Sequence, residues 1–81
     1  MNVIKAMEET VRLAADNGMP AVIEVDELSF LHLCSMLERM QEGNFSYGKQ
    51  CRWLGWAQCA VVAAGCATLE DMKQINMRNK D

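Results

Sequence analysis

Residues Trp53–Ala67 read WLGWAQCAVVAAGCA, and this stretch decides the architecture. Wound as a helix at about 100° per residue, it places Trp53, Ala57, Ala60, Val61 and Ala64 on one face. Gly55, Cys59 and Val62 fall on the opposite side, with no charge among them. A helix that is apolar on two sides needs two partners. In a chain of 81 residues one is the rest of the protomer, and the other is expected to be a second copy or another protein. Gly55 inside such a helix costs about 1 kcal/mol relative to Ala. Among small neighbours it makes a thin helix that another helix can approach closely.

The flanking sequence is helical as well. Residues 2–16 carry Val3, Ile4, Met7, Val11 and Ala14 on one face and Lys5, Glu8, Glu9, Arg12 and Asp16 on the other, a helix closed by Asn17-Gly18 before Pro20. The run AVIEV at 21–25 is strand-like in composition. A lone strand cannot form a sheet, so it is expected to be an extended connector filling the core with Val22, Ile23 and Val25. Asp26 is the expected N-cap of a second helix over 27–42, whose buried arc is Phe30, Leu33, Cys34, Leu37 and Met40 and whose wet arc holds His32, Glu38, Arg39 and Glu42. Ser46 can cap the third helix, 47–64, which Gly65 ends. Thr68 and Asp71 have the spacing of a capping box and open a fourth helix over 68–78, with Leu69, Met72 and Ile75 inward and the terminal NMRNKD fraying. The expected fold is a single all-α domain, a small bundle of four helices, with no sheet inside the protomer.

Composition and motifs weigh against several functions. Eleven acidic and eight basic side chains give a net charge of −3, so no long-range field draws the chain to phosphates. A helix-turn-helix built on Gly65 would put Asp71 where an apolar residue must sit, and its recognition helix would open with Glu70 and Asp71. Charges in the N-terminal region interrupt any signal sequence, and the uncharged run Trp53–Leu69 falls short of the roughly 20 residues that span a bilayer. A cytoplasmic location without membrane contact is expected.

Candidate chemistry is sparse. None of the four cysteines, at 34, 51, 59 and 66, has the close spacing of a zinc-gripping pair, so reduced packing thiols are expected and neither metal nor other cofactor is assigned. His32, the only histidine, falls on a polar arc beside Arg39 and reads as solvated. Glu8-Glu9 and Glu70-Asp71 are adjacent pairs that diverge by about 100° on a helix and cannot converge on one substrate atom. No glycine arrangement forms a phosphate loop. Trp53 is expected to pack at the centre of the apolar face. Trp56, at its margin beside Arg52, has the character of an interface anchor. The expected partner-binding residues are therefore Trp56, Arg52, Gly55, Cys59 and Val62, and no residue is assigned to catalysis.

The segment RWLGWAQCAVVAAGCATLEDMKQIN, Arg52–Asn76, resembles the C-terminal part of small accessory proteins encoded in the early or immunity regions of lambdoid phages and prophages of enteric bacteria. Their tails read as a Leu-Gly-aromatic-x-Gln helix, matched by Leu54–Gln58, then a Gly, then Thr-Leu-Glu-Asp-Met-Lys-x-Ile-Asn, matched by Thr68–Asn76. The resemblance implies a non-enzymatic protein of a bacterial host's cytoplasm that binds and inhibits another protein, such as a phage repressor or a host factor. It implies no catalytic residue. Combined with the two-sided third helix, the expected function is inhibition of a protein partner, in the manner of an antirepressor, by a homo-oligomer associating through that helix. A small DNA-binding transcriptional regulator is the alternative.

Overall fold

In the computed structural model, which describes residues 1–80, the chain forms four α-helices and no strand. The helices are α1 (Val3–Asp16), α2 (Phe30–Gln41), α3 (Tyr47–Ala63) and α4 (Leu69–Arg78). Helix α1 is the hub and packs against the other three. The Met1 amino group donates to Tyr47 Oη at 3.4 Å and the Asn17 amide donates to the Cys66 carbonyl at 2.6 Å, so α1 and α3 run parallel, end matched to end. The Asn2 N–H donates to the Asn79 carbonyl at 2.8 Å, which returns the end of α4 to the start of α1. The radius of gyration, 11.7 Å, is that of a close-packed chain of this length.

Local sequence explains each boundary. Helix α1 ends in a Schellman turn: the Gly18 N–H donates to the Ala15 carbonyl and the Met19 N–H to the Ala14 carbonyl, with Gly18 at φ +73°. Helix α3 ends the same way through Gly65, at φ +75°, and Cys66. In both turns the residue after the glycine, Met19 or Cys66, enters the core. Ser46 caps α3 through its Oγ, and Thr68 with Asp71 completes the capping box of α4 in both directions.

The core is formed by Val3, Ala6, Met7, Val11 and Ala14 of α1, Leu33, Met36 and Met40 of α2, Leu54, Ala57, Ala60 and Val61 of α3, and Met72 and Ile75 of α4. Several sequence expectations are corrected here. The connector 21–25 lacks strand structure, as expected, but does not fill the core: Val22, Ile23 and Val25 are 69%, 37% and 50% exposed. Met19 takes the interior position, and the backbone of Phe30 and Leu31 bonds back to the carbonyls of Pro20 and Ala21, which turns the intervening side chains outward. Asp26 is not the cap of α2. Asp26–Leu28 forms a 3-10 turn, and the buried Ser29 receives the His32 N–H on its Oγ at 3.2 Å, so the helix begins three residues later than the predicted 27. Met36 is deeper than Phe30, Cys34 and Leu37, which are half-buried at the edge of the core.

Leu69 is outside, 66% exposed, because the capping turn places the first residue of α4 ahead of its contact with the bundle. Helix α4 runs through Arg78, and the end expected to fray is tied to α1. Glu9 accepts from Arg78 Nε and Nη2 on one oxygen, at 3.2 and 2.9 Å, and from Asn79 Nδ2 on the other, at 2.6 Å. Asp81, the last residue of that stretch, lies outside the described residues.

Candidate interaction face of helix α3

Helix α3 presses Leu54, Ala57, Gln58 and Val61 into the bundle, an i, i+3, i+4, i+7 stripe. That stripe is rotated from the one expected, since Ala64 is exposed and Trp53 lies half-buried on the flank toward α2. There Trp53 meets Phe45 edge-on, with ring centroids 4.7 Å apart, and carries the Arg39 guanidinium 5.2 Å from its own centroid. Gln58 is the unexpected member of the stripe. Its amide donates to Thr10 Oγ1 of α1 and exchanges hydrogen bonds with Asn76 of α4, so a buried polar residue joins three helices. No buried polar side-chain atom among the described residues lacks a partner.

The five residues expected to bind a partner all lie on α3, and the structure distributes them between two clefts that flank its outward side. Gly55, Cys59 and Val62 line a groove of about 400 Å³ between α3 and α4, with Met72 at its floor and Leu69 at its rim. The sole charged or amide side chain in that lining is Gln58, already engaged with Thr10 and Asn76. A Cβ built on Gly55 would meet nothing within 4 Å, so the helix surface there is open.

Arg52 and Trp56 belong to the second cleft, about 410 Å³ between α2 and α3, together with Glu27, His32, Ser35, Met36, Arg39 and Trp53. Trp56 is 47% exposed, yet its indole N–H is fixed at 3.0 Å to the carbonyl of Glu27. The 3-10 turn that displaces Asp26 from its expected capping role thus holds the tryptophan wall in place. His32 is half-buried in this cleft rather than fully solvated. The sequence contains no short-range signal for this union, which needs the antiparallel packing of α2 on α3.

The adjacent acidic pairs singled out by the sequence, Glu8-Glu9 and Glu70-Asp71, line neither cleft. Glu9 and Asp71, the carboxylates of the adjacent acidic pairs with tertiary or capping roles, are engaged in the α4 clamp and the capping box. The Asn79 amide, together with the Arg78 guanidinium, holds the Glu9 carboxyl below its ordinary range, against the opposing effect of burial. Burial, reinforced by the nearby Glu38 carboxylate, pushes the Cys34 thiol up, away from the reactive thiolate. All four cysteines are free thiols, Cys59 being the exposed one. Among the described residues no three His, Cys, Asp or Glu side chains are grouped to hold a metal ion, and no helix is long and apolar enough to cross a membrane. No protein-family model matches the chain, and comparison with curated proteins and with solved structures likewise finds no match.

Proposed function

We propose that this chain is a non-enzymatic protein-binding module that acts by occupying and inhibiting a protein partner, with two copies pairing through the outward side of α3. The observation that carries this reading is the open groove of Gly55, Cys59, Val62, Ala63, Leu69 and Met72, which has no charged side chain in its lining. An uncharged concavity beside an exposed Leu69 is self-complementary: under a twofold axis the leucine of each copy can enter the groove of the other. That pairing leaves the α2–α3 cleft, with Arg52 and Trp56, for the partner. The likeness of Leu54–Gln58 and Thr68–Asn76 to phage accessory proteins supports the inhibitory role, of the antirepressor or host-factor-inhibitor type.

The experiment is sedimentation velocity on wild type and Val62→Glu, with helicity followed by circular dichroism. Val62 is half-buried at the groove and outside the innermost core, so the variant is expected to keep its helices and sediment as a monomer while wild type is a dimer. A wild type that remains monomeric at high micromolar concentration, or a variant that stays dimeric, refutes pairing through this groove.

A further inference from the structure

The α2–α3 cleft combines an apolar floor and aromatic walls with two guanidinium groups that form no ion pair among the described residues, Glu27 being the one carboxylate in its lining. Met36 is buried at its floor, and Trp53 and Trp56 form aromatic walls. Arg39 and Arg52 stand on its lining, and neither has a carboxylate within ion-pairing distance among the described residues. Both guanidinium groups are placed. Arg39 lies over the Trp53 ring at 5.2 Å, and Arg52 Nη1 lies 3.6 Å from the position a Cβ would take on Gly48, folded back over bare backbone. Lys49, with its Nζ 5.5 Å from the centroid of the same Trp53 ring, adds a third cation nearby. This is a local concentration of positive charge on a chain whose net charge is −3.

We infer that this cleft recognises a single carboxylate side chain next to a bulky apolar residue in an extended segment of a partner protein. The apolar residue would occupy the space between the tryptophans over Met36, and the carboxylate would meet the guanidinium forks, whose planar donors match its two oxygens. A volume of about 410 Å³ holds one or two side chains and not a helix. The exposed Glu27, itself part of the lining, would repel a run of phosphates or of acidic residues, which favours one anionic group over a polyanion. The inference rests on the protein-binding reading above and specifies the chemistry of the partner.

The test uses end-capped, tryptophan-free peptides with Phe-Asp or Phe-Asn at the centre of a Gly-Ser sequence, titrated while the intrinsic tryptophan emission is recorded, since both indoles of the chain wall the cleft. The Phe-Asp peptide is expected to bind about tenfold or more tightly than Phe-Asn, as charge-assisted hydrogen bonds require. In the double variant Arg39→Gln, Arg52→Gln, both exposed positions, that preference should vanish with the helicity unchanged. Equal binding of the two peptides, no binding of either, or a preference that survives the double variant overturns the inference. So does inorganic phosphate binding as tightly as the Phe-Asp peptide, which would make the cleft a phosphate site. Val62→Glu, altered in the other groove, should bind the Phe-Asp peptide as wild type does. Failure of α3 pairing and failure of carboxylate recognition are thereby read separately.

Discussion

The carboxamides of Gln58 and Asn76 hydrogen-bond to each other in both directions, at 2.9 and 3.2 Å, while Gln58 Nε2 also reaches Thr10 Oγ1 at 3.3 Å. One side chain therefore sets the relative height of α1, α3 and α4. Amide pairing demands specific atom positions, whereas the alanines and methionines around it tolerate sliding.

Replacing one member of this pair strands the other. Gln58→Leu is expected to lower stability by about 1–3 kcal/mol, because Asn76 then loses its partner in a partly buried site. The double variant Gln58→Leu, Asn76→Leu should be less damaged than the sum of the two single variants. Urea denaturation of the four proteins measures the coupling.

The Glu9 clamp gives the fold a pH dependence of known sign. A carboxyl held below its ordinary value contributes stability that is fully present above about pH 4.5 and is lost as pH falls through the folded-state value. Wild type should therefore weaken on acidification below that value, and Glu9→Gln should begin less stable and lose less over the same range. Denaturant titrations at about pH 7 and about pH 3 provide the comparison.

Two glycines should respond oppositely to alanine. Gly18 holds φ +73° in the turn that closes α1, so Gly18→Ala is expected to cost roughly 1–2 kcal/mol although no atom obstructs the new methyl. Gly55 is helical and faces open space, so Gly55→Ala should raise protomer stability by roughly 0.5–1 kcal/mol. If two copies meet at this groove, the same methyl weakens their association. Thermal denaturation combined with sedimentation separates the two effects.

Alkylation should report the same groove. Cys59 is exposed and is expected to react first with iodoacetamide in dilute protein, ahead of half-buried Cys34 and Cys51, with Cys66 modified last. Raising the protein concentration should slow Cys59 selectively as the groove becomes covered. Fragmentation mass spectrometry assigns each site, separating Cys59 from Cys66 within the tryptic peptide 53–73 that contains both.

Residue order alone determined the four helices, because amphipathic periodicity, Gly18, Gly65, Ser46 and the Thr68–Asp71 box act within a few residues of one another. It also identified the outward side of α3, since Gly55, Cys59 and Val62 share a helical face wherever the helix is placed. Tertiary structure decided what no local pattern encodes. Val22, Ile23 and Val25 turned outward because Met19 filled the interior and the backbone of Phe30 and Leu31 bonded to Pro20 and Ala21. Gln58 became a core residue because Thr10 and Asn76, 48 and 18 positions away, arrived to satisfy it. Likewise, Arg39 and His32 of α2 joined Arg52 and Trp56 of α3 in one cleft through the packing of two helices, and burial, unlike helical phase, is a property of what lies opposite.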